Sequence, residues 1–134
     1  MFFKKEINTD FIDICALLIH AAKIDENYTK KEEDIIKKTL LLIGVKKDDL
    51  NDIVKKGELI EKDSNQILNF TKKVKSMAEQ DKIKIIEALW QIIYSNDKAD
   101  IYETNLMRRL AGLLYIDNKI MGDIKEKIKK EKSE

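Results

Sequence analysis

A chain of 134 residues with no proline, four glycines and one cysteine fits a single domain. It lacks the corner residues of an all-β fold, the repeats of collagen and the pairs of a disulfide scaffold. Its 26 Lys+Arg against 25 Asp+Glu leave a net charge of +1, and only Arg108 and Arg109 are arginine, so neither a global field nor guanidinium forks point to a nucleic-acid reader.

Apolar spacing predicts seven helices and an all-α bundle. The first spans about 9–23, with Phe11, Ile14, Cys15, Leu18 and Ala21 on one stripe; Leu17, Ile19 and Ala22 widen it until little polar face remains. A helix apolar nearly all round is a central one. The second starts after Thr29, where Thr29-Lys30-Lys31-Glu32 has the form of a capping box, and stops at Gly44. The third opens at Asp48 or Asp49, carries Leu50, Ile53 and Val54, and is expected to end at Gly57, with 55–63 the least periodic stretch and a loop. Asp63 or Ser64 caps a fourth with Ile67, Phe70, Val74 and Met77 inward. The fifth, about 79–95, has the character of the first, with Ile85, Ile86, Leu89, Trp90, Ile93 and Tyr94. The sixth begins near Asp100, where Asp100-Ile101-Tyr102-Glu103 is again box-like, and the seventh near Asp117, with Ile120, Ile124 and Ile128 inward and a frayed end over 130–134.

An internal repeat organises these helices. Asp25 and Asn96 stand 71 residues apart, as do Glu32 and Glu103, Ile35 and Leu106, and Val45 and Ile116. The chain therefore reads as one domain over 1–134 built on two pseudo-repeated helical hairpins, about 11–45 and 82–116. Neither hairpin alone could bury its apolar face.

The residues able to carry chemistry gather in the two interhelical loops. Residues 25–34 carry a net charge of −3 and residues 96–103 a net charge of −2. Hard oxygen donors suit Ca²⁺, Mg²⁺ or Mn²⁺ rather than zinc or copper. The loop is not an EF-hand: Asp25, Asn27 and Thr29 fit its first ligand positions, but Lys30 replaces the glycine and Ile36 the bidentate Glu. Capping alone explains Glu32 and Glu103 equally well in chemical terms, and is the role the spacing favours for them. Elsewhere, Cys15 reads as a buried thiol, His20 as a surface or satisfied histidine, and Trp90 with Tyr94 as core. No nucleophile–base pairing or Gly-rich phosphate loop is readable, so an enzyme is not expected.

The two loops, their offset and the run Glu87-Ala88-Leu89-Trp90-Gln91-Ile92-Ile93-Tyr94 resemble the TerB-like family, the tellurite resistance protein B-like proteins, in its single-domain branch. That family repeats an apolar helix, Ala-Asp-Gly, an aliphatic residue and a Glu seven after the Asp. Ile24-Asp25-Glu26 with Tyr28 and Glu32 fills the first copy, and Ser95-Asn96-Asp97 with Ala99 and Glu103 the second. Both family glycines are replaced, by Glu26 and Asp97, and the second Asp is Asn96. The resemblance implies an all-helical bundle and a role in stress response. It also implies a protein partner and a divalent cation held at Asp25, Glu32, Asn96 and Glu103. An adaptor or homo-oligomer without a ligand is the alternative. No apolar run approaches the roughly 20 residues of a bilayer span, and residues 1–6 lack the order of a secretory signal. The expectation is a cytoplasmic protein without direct membrane insertion.

Overall fold

The computed structural model describes residues 3–24, 28–63, 67–95 and 101–133, with side chains over 10–24, 28–63, 70–95 and 105–131. Seven helices and no strand are present among the described residues: α1 (Phe3–Ala22), α2 (Lys30–Leu42), α3 (Lys47–Asp63), α4 (Ile67–Lys75), α5 (Glu79–Tyr94), α6 (Ile101–Leu113) and α7 (Asn118–Ser133). The all-α expectation holds, and α1 and α5 are the central helices. Nearly every α1 residue from Ile12 to Ala22 is buried, and Ile85, Ile86, Leu89, Trp90, Ile92 and Ile93 of α5 are at most 2% exposed. α1 packs most extensively against α3 and then α4, α5 against α7, and α2 bridges α1, α3 and α5.

The 71-residue offset reappears in the helix bounds. α2 and α6 start and stop 71 residues apart, and α3 and α7 start 71 apart. Both second helices end in the same turn. Val45 N–H donates to Leu40 O at 3.0 Å and Ile116 N–H to Ala111 O at 3.0 Å, each reaching back five residues as in a Schellman motif. The left-handed position is Gly44 (φ 115) in the first turn and Tyr115 (φ 57) in the second. The following Val45 and Ile116 are each 5% exposed. α4 joins the two halves and lies on α1 and α6.

The third helix corrects the sequence reading. α3 does not end at Gly57, and 55–63 is not a loop: the helix runs unbroken to Asp63. Gly57 is needed because α3 crosses α1 there. A Cβ on it would stand 2.9 Å from Cys15 Sγ and 3.0 Å from Cys15 Cβ, so no larger residue fits without separating the helices. Beyond it the inward residue is the carboxylate Glu61, 6% exposed, while Leu59 and Ile60 face out at 60% and 37%. That inversion hides the helical period. α1 also begins earlier than expected, at Phe3, since Lys4, Lys5 and Glu6 offer nothing to stop a helix. α7 continues to Ser133, through the stretch where charge alternation predicts fraying.

Candidate functional site

The best-defined polar structure is where α2 begins. Thr29 has extended backbone (φ −95, ψ 165) and caps the helix with both hydrogen bonds of a capping box. Glu32 N–H donates to Thr29 Oγ1 at 3.2 Å, and Thr29 N–H donates to Glu32 Oε1 at 2.7 Å. The Thr29 hydroxyl also reaches Glu32 Oε1 at 3.1 Å. These bonds satisfy two orphan N–H groups and hold the Glu32 carboxylate at 1% exposure.

The other oxygen of Glu32 links the two halves of the molecule. Ser95, at the C-terminus of α5, brings its hydroxyl to 3.4 Å from Glu32 Oε2. The same hydroxyl stands 2.6 Å from Ile92 O. One proton serves both acceptors, so the Ile92 bond is the stronger branch. The C-terminus of α5 is thereby placed against the first turn of α2.

Tyr28 flanks the cap. Its hydroxyl is buried and has no hydrogen-bond partner. Burial first, and then the nearby Glu58, Glu33, Cys15 and Glu32, push its pKa above the usual tyrosine range, so it stays a neutral phenol.

A second polar cluster was not legible locally. Glu61 of α3 accepts from Lys23 Nζ at 2.9 Å and meets His20 Nδ1 at 3.2 Å. A cleft of about 290 Å³ adjoins it, lined by His20, Lys23, Ile24, Glu61 and Lys62. A carboxylate 6% exposed needs such partners, because an unpaired buried charge costs several kcal/mol. His20 is thus a satisfied histidine that fastens α1 to α3. Cys15 lies deep at the same interface, where burial, aided by Glu58, pushes its thiol up to about 12 and keeps it a poor nucleophile.

The family model for tellurite resistance protein TerB matches residues 11–126. The chain belongs to the TerB family. No curated protein and no solved structure gives a match. The matched span contains both acidic loops of this TerB chain, the part of α1 from Phe11 onward and all of α5.

Of the four residues expected at a TerB cation site, only Glu32 has its side chain among the described residues. Asp25 and Asn96 lie outside them, and Glu103 is placed by its backbone in α6 with its side chain outside. No group of three or more His, Cys, Asp or Glu is arranged to hold a metal among the described residues. Glu32 caps α2, as its spacing predicts, and contacts the second half through Ser95. Ser95 itself carried no sequence signal as a partner, since the contact spans 63 positions. No helix among the described residues is long and apolar enough to cross a membrane.

Proposed function

We propose that this TerB chain is a non-enzymatic, cytoplasmic, stress-related module, similar in role to tellurite resistance proteins. It binds a protein partner, and it binds a divalent cation through its two acidic interhelical loops. One observation carries the cation reading: a carboxylate at 1% exposure, Glu32, reaches from the first loop to Ser95 at the entry of the second. The donors in these loops are carboxylates (Asp25, Glu32, Glu103) and an amide (Asn96). That set fits Ca²⁺, Mg²⁺ or Mn²⁺. The cation would supply positive charge to the two acidic segments and would hold the loops together; the protein's share is to position Glu32 through the Thr29 cap. The non-enzymatic reading is supported by the engagement of His20 with Glu61 and by the inert Cys15 thiol.

A second reading, a structural adaptor or homo-oligomer without ligand, is favoured by the capping box itself, which already gives Glu32 Oε1 two donors. Calorimetric titration with Ca²⁺, Mg²⁺, Mn²⁺ and Zn²⁺ separates the two. The cation reading expects heat with one of the first three ions, lost in Asp25→Asn and Glu32→Gln, and thermal stabilisation growing as RT ln(1 + [L]/Kd). The adaptor reading expects no heat, while Thr29→Ala still costs about 0.5–2 kcal/mol through the lost cap.

A further inference from the structure

A cleft of about 420 Å³ opens between α1, the end of α2, the α4–α5 turn and the start of α5. It lies away from the acidic loops. Its apolar lining is Phe11, Ile14, Ile43 and Met77. Ile43 follows Leu41 and Leu42, which are 42% and 57% exposed, so apolar surface continues past the cleft on the last turn of α2. Two carboxylates line it from different helices: Asp10 of α1 and Asp81 of α5, which occupy equivalent positions in the two halves, 71 residues apart.

The described residues lining the cleft carry a net charge of −1, Asp10 and Asp81 against Lys73. Among the described residues Lys73 is the only cation lining the cleft, and it stands 3.4 Å from Asp10 with both side chains about half exposed. Asp81 meets Lys84 at 3.7 Å. Exposed pairs of this kind hold weakly and exchange readily for another cation. Asp13, one turn from Asp10, has its pKa raised first by burial and then by Asp10, with Lys73 opposing.

We propose that this cleft docks a cationic amphipathic segment of a partner protein. An aliphatic side chain of the segment rests on Phe11, Ile14, Ile43 and Met77, and Lys or Arg side chains meet Asp10 and Asp81. The proposal rests on the partner-binding reading and gives that partner a chemistry and a place. An apolar floor with a charged rim is the arrangement by which grooves take amphipathic helices.

The test uses three short synthetic peptides with the same leucine spacing and lysine, glutamine or glutamate elsewhere. Backbone amide shifts of the full chain map where each binds. The Leu/Lys peptide is expected to perturb amides around Phe11, Ile43 and Met77, and to bind less tightly as salt screens the rim. The double variant Asp10→Asn/Asp81→Asn should weaken it about five- to tenfold while leaving the Leu/Gln peptide unchanged. Met77→Lys should abolish binding of the Leu/Lys peptide, its fold being read from the same spectra. Shifts mapped elsewhere, equal binding of the Leu/Glu peptide, or unchanged affinity in the double variant would each overturn the cleft. Concentration-dependent shifts at the cleft without peptide would give it to a second copy and also overturn the proposal. None of these failures touches the loops, whose cation titration in the cleft variants judges the module reading separately.

Discussion

In the first half of the molecule α3 lies on α1 through Gly57 and Cys15; 71 residues on, the same positions are Ile128 and Ile86, both buried, and α7 lies on α5. The polar fastening differs in the same sense. Between α1 and α3 it is the nearly buried Glu61 with His20 and Lys23. Between α5 and α7 it is the more exposed Lys127–Glu87 pair at 2.6 Å, with Lys125 over the Trp90 ring at 5.5 Å. One helix order thus serves two solutions. Close approach over small residues leaves room for an inward carboxylate, whereas bulky aliphatics push the charges to the rim.

If both central helices carry equal weight despite that difference, matching truncations should cost alike. Leu18 and Leu89 are 71 positions apart and both fully buried. Leu18→Ala and Leu89→Ala are each expected to cost about 2–5 kcal/mol, measured by urea denaturation. A loss below about 1 kcal/mol in either would show that one half is peripheral.

Gly57→Ala probes the close crossing directly. Helix propensity alone predicts a gain of about 1 kcal/mol. Overpacking against Cys15 and the Ala16 backbone predicts a net loss of about 1–3 kcal/mol. The sign therefore decides, and Cys15→Ala should recover part of the loss. Thiol labelling at mild alkaline pH gives a second readout: Cys15, with its thiol pushed up to about 12, should stay unlabelled in the native protein and label faster in Gly57→Ala.

The two halves were unequally legible in the sequence. α1 and α5 were readable because a helix apolar on every side needs no partner to reveal its burial. The Thr29–Glu32 cap was readable because its chemistry is local. The second half of α3 was not, since Gly57 imitates a stop signal when seen without Cys15, and Glu61 imitates a surface residue when seen without His20. The Glu32–Ser95 contact was equally hidden: it joins residues 63 positions apart, and no local spacing encodes it. Asp25, Asn96 and the Glu103 side chain fall outside the described residues, so the loop chemistry rests on titration.

The turns that end α2 and α6 invite opposite substitutions. Gly44 at φ 115 occupies a conformation that side chains avoid, so Gly44→Ala should cost about 1 kcal/mol or more. Tyr115 at φ 57 bears that strain already. Tyr115→Gly should relieve it, but it loses the Lys75 ammonium 5.4 Å from the ring centre, worth about 0.5–1 kcal/mol. The expected result is a clear loss at Gly44 and a change of under about 1 kcal/mol at Tyr115, read from thermal midpoints. A comparable loss at both would mean that Tyr115 matters through its ring rather than its backbone.

The smallest expected effect sharpens the comparison at the cleft. Asp13 corresponds to Lys84 in the second half. Asp81 and Lys84 attract across one helical turn, whereas Asp10 and Asp13 repel across the equivalent turn. Burial and then Asp10 raise the Asp13 pKa, and Lys73 offsets only part of it. A carboxyl whose folded pKa is raised destabilises the fold above that pKa. The penalty fades as pH falls through the folded value and vanishes below the unfolded one, about 3.9. Asp13→Asn should therefore stabilise the protein at pH 7, by tenths of a kcal/mol given the exposure of the site, and should lose its advantage near pH 3. Asp13→Lys, which copies the second half, should gain more at pH 7 at low ionic strength and give back part of the difference in salt. Urea midpoints at both pH values check the sign. A destabilised Asp13→Asn at pH 7 would mean that the Lys73 ammonium outweighs burial and Asp10 together.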